Sequence, residues 1–358
     1  MINGKLLLFF VISKLLFIDV FSLNGVPETI RKYNYYVNRA ELSIVESQYE
    51  QAVLYYDSAF MKKDYAFAVD KYNAAICHIY LKQYAHAYSF FQEILQKGYA
   101  VENLKSKAQF KGFFESSWGQ KLINYSDDIE FTLNTEVRSI LDSLFFMDQL
   151  FRKNREFGNP YDFFEDTINR IDDSNRIVLK NIIDEYGFPG EEIIGLSDTS
   201  LTRQPYQIIL LHFQQISSAR RRGEFRNVIP WIQNAYNNGR MPAHEAAFLL
   251  EASGMDYGNS FSSLVKYRYV GPDPYCVESD VVTKETPWGF FNLTEEERNE
   301  INSVRSEFGL ESVEDLRKKL VFKMNTKIFD FSKIYGGRSI YQMQDYEWYK
   351  NVNLIFVE

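Results

Sequence analysis

Apolar and small residues recur along residues 36–98 at spacings of three and four, and the whole pattern is written twice, 35 positions apart. Ala40 and Ala75, Tyr49 and Tyr84, Ala52 and Ala87, Tyr56 and Phe91, and Ala59 and Ile94 fall on the same places in each copy. Such spacings put these side chains on one face of a helix, and the alanines let neighbouring helices approach closely. The pattern predicts four helices in two hairpins. A repeat buries its apolar face only against a neighbour, so two copies need flanking helices, and 26–36 and 100–124 are the segments predicted to supply them.

The second half reads as helix after helix. Ile140, Leu144, Met147 and Phe151 form one stripe, which predicts a long amphipathic helix over 134–157, broken at Asn159-Pro160. A second helix is predicted over 173–185, stopping at Gly187, where Gly187-Phe188-Pro189-Gly190 offers a left-handed cap and a proline that cannot continue the helix. Pro205 opens a third over 205–218, Pro230 lies in the first turn of a fourth that ends by Gly239, and Pro242 opens a fifth that ends before Gly254. Gly271-Pro272-Asp273-Pro274 marks a turn-rich connector. Thr294 with Glu297 has the capping-box pattern for a helix closed by Gly309, and Ser312-Val313-Glu314-Asp315 begins another. Beyond 325, Phe, Tyr and Ile alternate loosely with polar residues around Gly336-Gly337, which suggests one or two short strands or an ordered tail. The predicted class is all-α: two helical hairpins within 26–125, a helical domain over 130–320, and a less regular tail over 321–358.

Composition narrows the function classes. Hydrophobic residues make up 46% of the 358 positions and aromatics 16%, so the chain has material for a substantial core. The net charge of −8 and a single short basic run, Arg220-Arg221-Arg222, argue against a nucleic-acid surface, whose affinity needs concentrated Lys and Arg. That run reads as a solvated helix end or turn. The start of the chain differs from the rest. A charged Lys5, the apolar run Leu6 to Ile12, and Val20-Phe21-Ser22 as a cleavage site give residues 1–22 the form of an export signal, a buried or uncleaved helix being the alternative. Lys14 and Asp19 interrupt the stretch, so it is not a spanning helix, and no Cys follows where a lipid could be attached. The expected location is exported, periplasmic or extracellular, with no stable membrane span once the signal is removed. Cys77 and Cys276 give no framework pattern, and no disulfide is expected between them.

Two resemblances follow from these residues. The order Ala, Tyr nine later, Ala three after that, an aromatic four further on, and Ala or Ile three beyond resembles the tetratricopeptide repeat, over residues 36–98. The large residue that family has near the start of its first helix and its closing Pro are missing. The resemblance implies a right-handed helical stack and a protein or peptide partner. Tyr49, Tyr56, Tyr84 and Phe91 are the candidate binding positions, and the same positions read more readily as core. The second resemblance lies over 135–315. Asp148-Gln149-x-x-Arg152, Asp172, Asn175, the stretch Ile182 to Gly190, Gly195, Leu211-His212, Asn238 to Pro242, Ala246 to Leu249, and Arg305 with Gly309-Leu310 together resemble a bacterial family of domains of unknown function. The chain has Glu251-Ala252 where that family has Asp followed by Arg, and Tyr257-Gly258-Asn259 where it has Tyr-Gly-Thr. This resemblance implies a fold unit and no particular activity.

The candidate chemistry sits in the helical domain. Asp148 and Arg152 are four apart and pair on one helix face, while Gln149 points about 100° away. An exposed pair of this kind is worth only about 0.3–0.5 kcal/mol; the functional reading is an Arg152 that holds an anion and an Asp148 that orients it or acts as base. His212 lies beside an apolar stripe, either as a hydrogen-bonded core residue or as a general acid/base facing Asp148 or Arg152 across a helical cleft. His78 and His86 read as surface or groove residues of the repeats, and His244 belongs to the first turn of a helix. No pair of histidines has metal-ligand spacing, so neither a metal nor a cofactor is expected. The glycines at 187, 190 and 195 lack the strand a phosphate loop needs, and Ser253-Gly254 stands outside any nucleophile elbow. The leading expectation is an exported protein-binding or scaffold protein that uses its repeats. The rivals are a hydrolase-like or acid/base enzyme with a site at Asp148, Gln149, Arg152 and His212, and a structural subunit of an envelope assembly.

Overall fold

The computed structural model describes residues 26–153, 160–215, 228–254, 269–271, 288–291, 293–326, 328–331, 338–339 and 354–357. The export signal, Arg220-Arg221-Arg222, Tyr257-Gly258-Asn259, the connector after Gly271, Cys276 and Gly336-Gly337 lie outside the described residues.

Two hairpins open the fold, α1 (Glu28–Val45) with α2 (Tyr49–Phe60) and α3 (Ala68–Tyr80) with α4 (Tyr84–Gln96). Ala40, Ala52, Tyr56, Ala59, Ala75, Ala87, Phe91 and Ile94 are all at most 1% exposed, so the side chains repeated at 35 positions are the ones that pack. The backbone repeats as well. Ser47 and Lys82, 35 apart, both adopt φ 59° at the turn between helices. Around each, the next amide reaches back five residues, Gln48 N to Ser43 O and Gln83 N to His78 O, both at 2.8 Å. That is a Schellman closure made with a non-glycine residue.

The flanks differ from expectation. Residues 26–36 form no separate cap; they are the first half of α1, because Ile30, Tyr33 and Val37 continue its buried stripe. On the other side, 100–124 breaks into α5 (Val101–Lys105), a 3-10 turn at Ala108–Phe110, α6 (Lys111–Phe114) and α7 (Ser117–Asp127). Phe110, Phe113 and Leu122, each 0% exposed, close the hairpin core.

The helical domain follows as α8 (Thr135–Arg152), α9 (Pro160–Tyr186), α10 (Glu191–Ile194), α11 (Pro205–Gln215), α12 (Ile229–Asn237) and α13 (Ala243–Gly254). Helix α8 packs on α9 and α11, and α12 on α13. Asn134 caps α8 by accepting from Val137 N at 3.0 Å. Helix α9 runs 27 residues where 173–185 was expected: Pro160 opens it at the position where a missing N–H costs nothing, and the stripe Ile168, Asp172, Asn175, Leu179 and Ile182 keeps one face buried throughout. Gly187 ends it with φ +78°, a left-handed conformation that favours glycine.

Among the described residues two large cores result, beside a small cluster of Val313, Leu316 and Leu320, and the two are stitched together. Leu196 and Leu201 belong to the hairpin core, and Ile30 of α1 belongs to the second. Glu191 Oε1 accepts from Ala68 N and from Tyr65 OH, each at 2.7 Å, which caps α3 from the other half of the chain. Helix α14 (Glu295–Phe308) begins with the full capping box of Thr294 and Glu297, and α15 (Val313–Asn325) begins at Ser312 and packs on α1. Beyond it Phe329 and Phe331, 5% and 1% exposed, enter the hairpin core, so this part of the expected tail is packed. Short strands β1 (Tyr269–Gly271), β2 (Trp288–Phe291), β3 (Arg338–Ser339) and β4 (Leu354–Val357) pair in the order β3-β1-β2-β4, parallel only between β1 and β3. Both cores are built by helices, and the class is all-α. Among the described residues no helix is long and apolar enough to cross a membrane.

Candidate functional site

Three helices bring four charged or ionisable side chains to one place. Asp148 and Arg152 come from the end of α8, Asp172 from α9 and His212 from α11. Arg152 Nη1 lies 3.0 Å from Asp148 Oδ1 and donates to the Asp148 carbonyl at 2.9 Å, while its Nη2 donates to Asp172 Oδ2 at 2.5 Å. Asp148 also accepts from Gln149 Nε2 at 2.7 Å and faces Nδ1 of His212 at 2.8 Å from Oδ2 and 3.0 Å from Oδ1. Asp148 and Asp172 side chains are 1% and 2% exposed, Arg152 9% and His212 14%. The spacing of four on α8 therefore makes a buried ion pair. Arg152 places its fork between two carboxylates.

The electrostatics are uneven. Asp148 is surrounded by donors, whereas Asp172 has one oxygen on Arg152 and the other, Oδ1, buried without a hydrogen-bond partner among the described residues. Burial pushes the Asp172 carboxyl up to about 6, against the pull of Arg152. With Nδ1 engaged by Asp148, His212 keeps Nε2 without a partner among the described residues. Asp148, Asp172 and His212 each offer a ligand atom, and these lie within 4.8 Å of one another. The Arg152 guanidinium already bonds both carboxylates, so a divalent ion would have to displace it.

Asp172 is the member that sequence reasoning passed over as a candidate. Its signal was a polar residue on the buried stripe of α9, four after Ile168 and seven before Leu179, where an unpaired carboxylate would be too costly to keep. Asn175, on the same stripe, donates to Leu144 O at 3.3 Å and ties α9 to α8.

The other predicted positions lie elsewhere. Tyr56 and Phe91 are core, with 0% exposure. Tyr49 is half-buried and stacks on Tyr80 with centroids 4.4 Å apart, and Tyr84 meets Phe113 edge-on at 5.8 Å. His78, expected at a surface or groove position, is buried; it bonds Gln83 at 2.7 Å, stacks on His86, and burial lowers its basicity. His244 joins a second buried network, with Nε2 at 2.9 Å from Glu311, which also meets Lys319 at 3.3 Å; Lys319 in turn pairs with Glu41. Arg305 also meets Glu311, at 3.5 Å, and the network fastens α15 and α13 to α1. Comparison with protein-family models, curated proteins and solved structures returns no match.

Proposed function

We propose that the helical domain carries an acid/base site in which His212 moves the proton, Asp148 orients its ring, and Arg152 with Asp172 holds Asp148 in place. One observation carries the reading: a buried carboxylate on Nδ1, at 2.8 Å, of a ring whose side chain is 14% exposed and whose Nε2 has no partner among the described residues. A carboxylate at Nδ1 favours the tautomer whose lone pair is on Nε2, which is the form a general base needs. Hydrolytic chemistry is the simplest use of such a dyad, with water as the group deprotonated. Diethyl pyrocarbonate should modify His212 after the exposed His86 but ahead of the buried His78 and His244, and hydrolysis of p-nitrophenyl acetate should fall by about 100-fold or more in His212→Asn. A His212 that resists the reagent while the buried His78 and His244 react would sink the proposal.

The hairpins support a second reading, binding of an extended peptide, and the favouring observation is Asn73. Its amide donates to the Asp330 carbonyl and accepts from the Asp330 amide, both at 3.0 Å, which is how a side chain grips main chain without reading sequence. The assignment to tetratricopeptide-type repeats is supported by the turns at Ser47 and Lys82, 35 residues apart. The likeness to the family of domains of unknown function is supported by the convergence of Asp148, Gln149, Arg152, Asp172 and His212, all of them positions of that resemblance. Export rests on residues 1–22, and a secreted chain whose first residue is Leu23 would agree with it.

A further inference from the structure

We propose that residues 328–331 are a tethered occupant of the peptide-binding face of the hairpins, so that this face takes an extended aromatic–acid–aromatic segment from a partner only when its own segment leaves. The inference rests on the peptide-binding reading of the hairpins.

The contacts divide into a receptor and an occupant. On the receptor side, Asn73 grips both main-chain groups of Asp330, and Tyr72 OH donates to Ile328 O at 3.1 Å. Lys107 Nζ donates to that hydroxyl at 2.7 Å and so turns its proton toward the carbonyl. On the occupant side, Phe329 and Phe331 are two apart, the spacing that puts side chains of an extended chain on one face. Phe329 lies 6.2 Å from both Tyr49 and Tyr80, which stack on each other and form a ring slot supplied by both hairpins. Three hydrogen bonds join the hairpin side to main chain, and the ring contact of the hairpins is to Phe329, while Phe331 stacks on Phe322 of α15. The Asp330 carboxylate is met at 3.1 Å by Lys323, which belongs to the occupant's own carrier helix α15.

The face also has capacity that this segment does not use. Asn38 stands 35 residues before Asn73, at the same place in the first hairpin. Its Nδ2 reaches only the Asp315 side chain at 3.3 Å, and its Oδ1 is buried without a partner among the described residues. A repeated asparagine, with one copy gripping a backbone amide and the other half-satisfied, fits an incoming main chain longer than the four residues held in cis.

The test uses the full chain and a fluorescein-labelled hexapeptide with the sequence of residues 326–331, followed by anisotropy. Phe329→Ala with Phe331→Ala weakens the occupant and leaves Asn73, Tyr72, Tyr49 and Tyr80 intact. This double variant should bind the peptide about tenfold or more tightly than the wild type, and adding Asn73→Ala should abolish the gain. Equal binding to wild type and double variant would overturn the tethering while leaving the peptide-binding reading intact. No binding to either, with the double variant folded by circular dichroism, would overturn both. If the double variant does not fold, hydrogen exchange on the wild type decides: excess peptide should speed exchange of the Asp330 amide, and unchanged exchange refutes the proposal.

Discussion

In the paired hairpins the buried polar groups tie other parts of the chain down: Asn73 holds Asp330, Glu41 meets Lys319, and the start of α3 takes Glu191. In the bundle of α8, α9 and α11 the buried charges bind one another, and Asp172 Oδ1 and Nε2 of His212 have no partner among the described residues. Both regions desolvate charge, which is favourable only when partners are in place. What differs is the balance of charge. Burial raises the Glu311 carboxyl, but His244, Lys319 and Arg305 hold it well below the usual range, whereas Asp172, with Arg152 as its cation, is raised to about 6. By that measure the cluster of His244, Glu311, Lys319 and Glu41 is fastening, and the cluster of Asp148, Arg152, Asp172 and His212, with a carboxyl that titrates near neutrality, is the better candidate for chemistry.

Removing one cation from the second cluster gives the largest effect. Arg152→Leu leaves two buried carboxylates facing each other and should cost about 3–5 kcal/mol at pH 8, measured by urea unfolding. The sign of its pH dependence follows from Asp172. That carboxyl, raised from 3.8 to about 6, takes a proton more readily folded than unfolded. Its contribution to stability is thus full below its unfolded value and is lost as pH rises through about 6. Without Arg152 the Asp172 carboxyl should hold its proton to still higher pH, so the penalty shrinks between pH 8 and pH 5. A penalty independent of pH would mean that the carboxylates find water when Arg152 is gone, and would erase the contrast with the hairpins.

The hairpins were the most legible part of the sequence because one period fixed both their cores and their turns. Helix ends carrying glycine, proline or a capping box were legible too: Gly187, Pro205, Thr294 with Glu297, and Gly309 stop or start helices where their chemistry requires. The first thirteen residues of α9 were missed, since Asp162, Glu165 and Asp166 look like a solvated connector until Ile168 and Asp172 are seen to share a buried face. The site was half legible. The four-residue spacing on α8 paired Asp148 with Arg152, but the approach of Asp172 and His212 depends on how α9 and α11 pack on α8, and no local spacing encodes that. The docking of 328–331 on α3 is of the same kind, a contact between residues 257 apart in sequence.

The smallest effect, and one of opposite sign, tests whether the two hairpins are one structural unit used twice. Ser47 and Lys82 both sit at φ 59°, a conformation that costs a residue with a Cβ about 1–2 kcal/mol, while glycine pays roughly 0.5–1 kcal/mol in chain entropy to be there. Ser47→Gly and Lys82→Gly should therefore each stabilise the protein by a few tenths to about 1 kcal/mol. The turns share the same backbone bonds, so the two gains should match and should add in the double variant, the sites having no common partner. Thermal melts of the three variants decide it. Unequal gains, or one loss, would mean that the side chain of Ser47 or Lys82 does something at its turn that the repeated backbone does not require, and the hairpins would then differ from each other as well as from the bundle.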